Sequence, residues 1–444
     1  MKPVIGLEVH VELKTKSKMF CGCSAGYFGQ KPNTHTCPVC LGLPGALPVP
    51  NKKAIEWCVM LGMALGCDIP QFSKLDRKNY FYPDLPKGYQ ISQYDEPFCL
   101  KGSIKLSSGK TIGITRVHME EDTGKLIHEN VNGQDVTLID FNRSGVPLVE
   151  IVTEPDFDNA KDVIDYLKKI QQITRYLDIS NADMEKGDMR LEPNISVLKI
   201  KNQKLKIKNE ELPKYKVEVK NINSFKFVEK AINFEIERQR EILESGKKPT
   251  QETRGWDQNK QKTVSQRIKE ESSDYRYFPE PDIPPIRWTK SQISNLKSQI
   301  GELPEEKFKR FKKGYELSDY DAEILTRETI LADYFEEAVM LGKKHGLTPK
   351  HIANFIINRK INLEKILPTK LIEQIISAGK TDEINDETLR KIIKEVLKDN
   401  PKIAEDYKKG KDSVIQFAIG QVMYIIRKKI DTEILKKIIM EELK

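Results

Sequence analysis

With 444 residues, the chain is too long to fold around one hydrophobic core, so two or three domains are expected. Charged residues make up 32% of the chain, but the net charge of +8 is too small to identify a nucleic-acid-binding protein by itself. No apolar run approaches the roughly 18 residues of a membrane span and no leader is visible. We therefore expect a cytoplasmic protein without a membrane partner.

The first 290 residues combine predicted strands, turns and a few helices. Alternating apolar and polar residues predict strands at 4–13, 111–121, 136–141, 146–154, 194–200 and 215–221. Apolar residues spaced three and four apart predict helices at 52–66, 160–177 and 225–245. Closely spaced prolines at 279–285 mark a boundary, beyond which the pattern is almost wholly helical. The fold class is therefore α+β, with a largely antiparallel sheet followed by helices.

The predicted strand at 6–13 carries Glu8, His10 and Glu12 on one face, because alternate residues of a strand point the same way. Taken alone, this alternation is more typical of a strand whose polar face lies in solvent. The segment as a whole therefore has two interpretations, a solvated face or a set of ligands.

Two further acidic segments favour ligands. Residues 117–122 place three carboxylates beside a histidine, and Glu150 and Glu154 interrupt an otherwise apolar strand. A carboxylate in an apolar strand is costly to bury unless it pairs with a cation. Carboxylates and a histidine from separate strands are ligand types that can hold Mg²⁺. The hypothesis is that the three segments converge on a metal site.

Four of the seven cysteines fall within twenty residues, as a C-x-C pair and a C-x-x-C pair. This grouping predicts a structural zinc site with four thiolate ligands and no open position. The alternatives are four unrelated thiols, or a redox pair formed by the second two. The proposed ligands are Cys21, Cys23, Cys37 and Cys40.

Nine motifs, in order along the chain, resemble one family. They are GLEVHVEL at 6–13, CPVCLGLPGALP at 37–48, RKNYFYPDLPKGYQ at 77–90, NRSGVPLVE at 142–150, MRLEPN at 189–194, EVKNIN at 218–223, DYRYFPEPD at 274–282, NPKIAEDYKKGK at 400–411 and GQVM at 420–423. Together they resemble the B subunit of the aspartyl/glutamyl-tRNA amidotransferase. The resemblance extends from residue 3 to about 285 and returns in the tail.

The resemblance implies three domains: a cradle domain at 1–290 with a zinc clip at 21–40, a helical domain at 291–380, and a small tRNA-binding tail at 381–444. It implies a heterotrimer with an amidase-type A subunit, which frees ammonia from glutamine, and a small C subunit. The substrate would be Glu-tRNA(Gln) or Asp-tRNA(Asn). ATP would phosphorylate the side-chain carboxylate, and ammonia would then displace the phosphate. The cofactors would be ATP, Mg²⁺ and structural Zn²⁺.

The resemblance also assigns residues. The catalytic Mg²⁺ ligands would be Glu8, His10, Glu121 and Glu150, with Glu120 competing for the third place. Contacts to phosphate or to the tRNA acceptor end would come from Arg77, Lys78, Tyr82, Lys87 and Arg143, although an ordinary structural role is equally compatible with each of these.

The chain departs from the family pattern between residues 379 and 400, where about one helical hairpin is expected to be missing. Three other functions remain open on the sequence. A related archaeal subunit has an extra inserted domain, for which residues 279–300 leave no room. A non-catalytic, zinc-stabilised tRNA-binding scaffold would make no use of the carboxylates. A free-standing metal hydrolase would turn over without an A subunit.

Overall fold

The computed structural model describes residues 1–199, 212–268, 275–379, 386–408, 410–411, 413–426 and 432–443. The chain divides into two compact units, residues 1–309 and 310–444. Residue 200 of one predicted strand, residue 274 of one motif and the boundary expected at 380/381 lie outside the described residues. The division into three domains at 290 and 380 therefore stays a prediction.

Strands are found only in the first unit of the described chain. They are β1 Lys2–Glu12, β2 Phe72–Ser73, β3 Asp76–Asn79, β4 Tyr89–Ser92, β5 Cys99–Lys105, β6 Thr111–Glu121, β7 Lys125–Val131, β8 Gln134–Asp140, β9 Pro147–Thr153, β10 Met189–Leu198, β11 Val217–Lys220, β12 Glu252–Asp257, β13 Lys262–Ile268, β14 Phe278–Pro279 and β15 Ile286–Arg287. The helices among them are α1 Lys52–Ala64, α2 Ala160–Tyr176, α3 Phe225–Glu244 and α4 Lys290–Ser298.

The remaining helices follow α4. They are α5 Pro304–Gly314, α6 Asp319–Leu325, α7 Thr329–Lys343, α8 Pro349–Arg359, α9 Pro368–Gly379, α10 Asp386–Asp399, α11 Pro401–Lys408, α12 Ser413–Ile426 and α13 Thr432–Glu442. None of the helices in the described part of the chain is long and apolar enough to cross a membrane. The predicted α+β class, with a sheet followed by helices, is confirmed.

An eight-stranded sheet, in the order β13-β12-β11-β10-β1-β9-β6-β5, organises the first unit. Its pairings are antiparallel except for β11 with β12, which confirms the predicted sheet type. In β1, Leu7, Val9 and Val11 are buried in a core to which α1, α2 and α3 also contribute. Burying each such side chain is worth roughly 1.5–3 kcal/mol, so the alternation fixes which face of β1 turns away from the helices.

The predicted helices at 52–66, 160–177 and 225–245 match α1, α2 and α3 closely. The strand predicted at 194–200 is only the second half of β10, which begins at Met189. Pro193 lies inside this strand, opposite Leu7 of β1. A proline normally argues against a central strand because it cannot donate to the ladder, so the pattern concealed the first half of β10.

Candidate metal site and four-cysteine site

One row of polar side chains crosses three neighbouring strands. His10 of β1 lies opposite Glu150 of β9, and Glu150 lies opposite His118 of β6. Residues that are directly opposite in paired strands project from the same face of the sheet. Glu120, two residues beyond His118, projects from that face as well. Two of the three acidic segments singled out in the sequence, 117–122 and the one containing Glu150, thus meet the first strand.

The side chains of this row are close enough to share a cation. The Nε2 atom of His10 lies 3.7 Å from Oε2 of Glu150 and 3.8 Å from Oε2 of Glu120. One possible ligand atom from each of these three residues lies within 4.8 Å of the others. Two carboxylates and one imidazole suit a hard divalent ion such as Mg²⁺ or Mn²⁺, with the remaining positions left to water or phosphate.

His118 supplies the positive charge that holds the two carboxylates together. Its Nε2 atom lies 3.1 Å from Glu150 and 3.6 Å from Glu120. Burial alone would lower the pKa of His118, but Glu150 and Glu120 outweigh burial and raise that pKa to about 9. Burial opposes ionisation of Glu120 and Glu150 too, yet their cationic neighbours hold both carboxyl pKa values below the usual range. Both carboxylates are therefore ionised, as metal ligands must be.

Two further cations border the cluster. The Lys78 ammonium lies 3.6 Å from Oε1 of Glu120 and 5.2 Å from the centre of the Tyr275 ring. Burial disfavours this charge, but Glu120, Tyr277, Glu150 and Tyr80 together outweigh burial, so the pKa of Lys78 is well above its usual value. On the other side, Nε of Arg116 lies 3.4 Å from Nδ1 of His118. Protonated His118 carries hydrogen on both ring nitrogens, so Arg116 is a second positive charge beside it, and the Nε2–H of His118 faces Glu150.

Glu8 lies on the same face but outside the three-residue cluster. It faces Glu192 of β10, and its Oε1 atom accepts a hydrogen bond from Nδ2 of Asn194 at 2.9 Å. Beyond Glu192, the Lys220 ammonium bridges Glu192 at 3.0 Å and Glu218 at 2.9 Å. The structure thus extends the charged face from the cluster across β10 to β11, with Glu8 at its centre.

Glu121 is the predicted ligand that the structure separates from the others. Neighbouring residues of a strand point to opposite faces, so Glu121 turns away from Glu120. Its Oε1 atom pairs with the Lys87 ammonium and accepts from the backbone N–H of Ile91 at 3.0 Å. Glu121, Lys87 and Cys40 together line a cavity of about 150 Å³ beside the cysteines. Of the two competing glutamates, Glu120 is the one that joins His10 and Glu150.

Two of the predicted phosphate contacts are engaged by protein groups instead. Arg77 donates to both carboxylate oxygens of the buried Glu280, from Nε at 2.6 Å and from Nη2 at 2.8 Å. Arg143 donates to the carbonyl of Thr123 at 3.0 Å and to that of Gly124 at 2.8 Å. These geometries favour structural roles, since the Arg77 guanidinium already binds a buried carboxylate and the Arg143 guanidinium already binds two backbone carbonyls.

Aromatic rings line the side of the cluster next to Lys78. Tyr275 packs edge-on against Tyr80 at 6.0 Å and against Tyr277 at 6.1 Å, measured between ring centres. Tyr94 stacks on Tyr277 at 4.5 Å. Tyr82, one of the predicted contacts to the acceptor end, is instead 59% exposed. The aromatic rings beside Lys78 therefore come from Tyr80, from Tyr94 and from the motif at 274–282.

The four predicted zinc ligands do come together. Cys21, Cys23, Cys37 and Cys40 form a group whose sulfur atoms lie within 4.8 Å of one another. Cys40 is the buried member, and its sulfur lies 3.9 Å from that of Cys37. The backbone N–H of Cys37 donates to the Cys40 sulfur at 3.1 Å. Four convergent sulfurs fit zinc and leave no position open for a substrate.

Comparison with known proteins identifies the family. The model described as the GatB/GatE catalytic domain matches residues 3–294, and the model described as the GatB domain matches residues 350–443. A protein of Roseiflexus castenholzii is 40% identical, over 99% of this chain and 98% of its own. One of Thermosipho melanesiensis is 44% identical over 97% of each chain. One of Dehalococcoides mccartyi is 45% identical over 95% and 94%.

All three relatives are named as the B subunit of aspartyl/glutamyl-tRNA(Asn/Gln) amidotransferase. The chain belongs to this B-subunit family. The family resemblance of the nine motifs is confirmed, in the cradle region and in the tail. The alignment with the Roseiflexus protein spans 485 residues, against 444 in this chain. The relative therefore has residues that this chain lacks, although their predicted place between 379 and 400 is not tested.

Several charged residues of the site were not among the predicted ones. His118 belongs to the segment 117–122. The alternation of this strand puts His118 on the same face as Glu120, and this is the sequence signal that could have identified it. Arg116 lies two residues before His118 on β6, and Lys220 lies within the motif at 218–223, two residues after Glu218. The sequence offered no signal for Tyr94, because its partner Tyr277 lies far along the chain.

Removal of one ligand should weaken divalent cation binding. We expect Glu150→Gln to lower the affinity for Mn²⁺ by more than about tenfold, because the amide oxygen is neutral where the carboxylate was charged. Calorimetric titration of the purified chain measures this. The matched control is Glu154→Gln, whose carboxylate accepts from Thr115 at 2.6 Å near the surface and should leave binding unchanged. Equal affinity in both variants would contradict the site.

A second variant tests the structural assignment of Arg77. Arg77→Gln should lower the free energy of unfolding by about 1–3 kcal/mol, because the buried Glu280 loses both of its charged donors. Urea denaturation measures the change. Arg240→Gln, which breaks an exposed pair with Glu237, should cost less than about 0.5 kcal/mol. Unaltered stability of Arg77→Gln would return this residue to the group of candidate substrate contacts.

Proposed function

We propose that this chain is the carboxylate-activating subunit of a glutamine-dependent tRNA amidotransferase. It phosphorylates the side chain of Glu-tRNA(Gln), Asp-tRNA(Asn) or both with ATP, and the activated group is amidated with ammonia from a partner amidase. The carrying observation is the cluster of His10, Glu120 and Glu150 on the charged face of the sheet, in a chain of the B-subunit family. The enzyme class is a ligase that forms carbon–nitrogen bonds.

The chemistry of amide formation explains why such a cluster is needed. A carboxylate is a poor acyl donor, since its leaving group would be oxide, whereas an acyl phosphate releases phosphate. The phosphoryl donor and the acceptor carboxylate are both anions, so positioning and charge neutralisation supply most of the catalysis. Mg²⁺ held by His10, Glu120 and Glu150 supplies that neutralisation when bound. No side chain of this chain is assigned a nucleophile's role.

The protein's own cations complete the proposal. Lys78 is charged and lies 3.6 Å from Glu120, within reach of phosphate oxygens bound beside that carboxylate. His118 fixes Glu120 and Glu150 as ionised acceptors, and Arg116 adds positive charge 3.4 Å from its ring. Glu8 adds negative charge next to His10 and contributes to cation binding on the same face. We assign Glu121, paired with Lys87, to the cavity beside the cysteines and not to the metal.

The four cysteines are proposed to hold structural zinc, which fastens residues 21–40 and takes no part in the reaction. An amidase-type A subunit and a small C subunit are the proposed partners in a cytoplasmic heterotrimer. The described residues between 389 and 443 form a hydrophobic core of their own, so the tail packs on itself, and we propose that it binds tRNA. The names of the relatives, which specify a B subunit and both tRNAs, support these assignments.

Reconstitution tests the function directly. The chain is combined with the A and C subunits, glutamine, ATP-Mg and either Glu-tRNA(Gln) or Asp-tRNA(Asn), and amidated aminoacyl-tRNA is measured. We expect amide formation from at least one tRNA, with ADP produced in step. Absence of the amide from both tRNAs would overturn the proposal. Turnover without the A subunit's ammonia would instead favour a free-standing hydrolase.

A pair of neighbouring variants separates catalysis from a scaffold role. Glu120→Gln should lower tRNA-dependent ATP cleavage by roughly 100-fold or more, because a ligand to the cation is lost. Glu121→Gln should lower it less, since that side chain faces away from the cluster. Free ammonia replaces glutamine in this assay, so that delivery from the partner is not measured. If both variants cleave ATP at the wild-type rate, the alternative of a non-catalytic zinc-stabilised scaffold is favoured.

A further inference from the structure

Lys18 is a completely buried lysine, with 0% of its surface exposed. Its ammonium donates to the carbonyl oxygen of His35 at 2.7 Å and to that of Phe141 at 3.3 Å. The third contact is the sulfur of Cys40, at 3.7 Å. Three N–H groups and three acceptors are thus matched, and one of those acceptors belongs to the four-cysteine site.

Within the part of the chain that the structure describes, the Lys18 ammonium has no carboxylate partner, since no Asp or Glu oxygen there lies within 4.0 Å of it. Burial of an uncompensated ammonium costs several kcal/mol, and carbonyl oxygens remove only part of that cost. The negative charge next to Lys18 is that of the cysteine group, whose Cys40 sulfur lies 3.7 Å away. Zinc bound by four thiolates has a net charge of −2.

We propose that Lys18 is the internal counter-ion of the zinc-bound thiolates and is required for the metal to be retained. The ammonium offsets half of the net charge of the site and donates to Cys40, the ligand with the least access to water. Lys18 is therefore a positioning residue for the metal site. This inference rests on the proposal that the four cysteines bind zinc.

The same lysine connects the zinc loop to the strand that carries Glu150. Its contact with Phe141 reaches the loop that leads into β9, and Met19 next to it donates to the Gly145 carbonyl at 2.7 Å. Asn142 of that loop accepts from the His35 backbone N–H at 2.7 Å. Zinc loss should therefore loosen residues 141–145 as well as the cysteine loop, because Lys18 loses its counter-charge.

Zinc retention tests the proposal without an activity assay. Zinc is released from the purified full-length chain to excess chromogenic chelator, and the rate is followed by absorbance. We expect Lys18→Met, which keeps the length of the side chain, to release zinc at least about tenfold faster than wild type. Lys16→Met, an exposed lysine of the same segment, should release zinc at the wild-type rate. Equal rates in Lys18→Met and wild type would overturn the role of Lys18.

A second pair of variants guards against misfolding of Lys18→Met. Lys18→Arg keeps the charge, and Lys18→Gln keeps donors but removes the charge. Retention by Arg with rapid release by Gln supports the counter-ion; equal retention by both contradicts it. Wild-type chain that contains no zinc would defeat the zinc proposal itself, which is a different outcome from zinc that is held equally well without Lys18.

Hydrogen exchange tests the connection to β9. Chelation of zinc from the wild-type chain should speed amide exchange at residues 141–146, where the N–H of Val146 donates to the Arg143 carbonyl at 3.0 Å. In α2, the rates should not change. Exchange at 141–146 that is unaffected by chelation would show that Lys18 does not transmit the loss of metal to this loop.

Discussion

The pairing register of β1 with β9 is the constraint on which the charged face depends. His10 stands opposite Glu150, and Glu150 stands opposite His118, because Leu7 and Val9 are buried against the helices on the other face. A slip of one residue would exchange the two faces and bury the glutamates among aliphatic side chains. Burial of the apolar face of β1 therefore determines the side of the sheet from which its polar face projects, and with it the position of His10 beside Glu150.

Compensation of charge is the second requirement of this arrangement. Two ionised carboxylates are held a few ångströms apart by His118 and Lys78. In the proposed function, a cation bound next to His10 would add to the positive charge of Lys78 and His118 and would favour phosphate groups on this face.

Sequence alone predicted much of this site, and the limits have physical causes. The alternation of β1 gave the face of His10, since a strand has a fixed period of two. It could not choose between Glu120 and Glu121, because the choice depends on which face of β6 continues that of β9, and register is a tertiary property. The resemblance makes Arg77 a candidate contact to phosphate or to the acceptor end and leaves a structural role open. Its partner Glu280 lies 203 residues away and cannot be inferred from local pattern.

The four-cysteine site shows the opposite case, in which local spacing sufficed. Four thiolates within twenty residues can meet only by folding that one segment, so their convergence required no knowledge of the sheet. What the spacing could not reveal is the charge balance, since Lys18 precedes the cysteines as an ordinary lysine of a Lys-rich segment. Its burial depends on the fold, because one of the carbonyl oxygens that its ammonium contacts belongs to Phe141, 123 residues away in sequence.

The separate core that the described residues between 389 and 443 form explains how the chain can be shorter than its relatives and still match both regions of the family. Leu389, Ile393 and Leu435 pack within the tail, and the cluster of His10 lies in the first compact unit. Relatives of such different length can therefore share the motifs of both matched regions, because each region satisfies its own hydrophobic contacts.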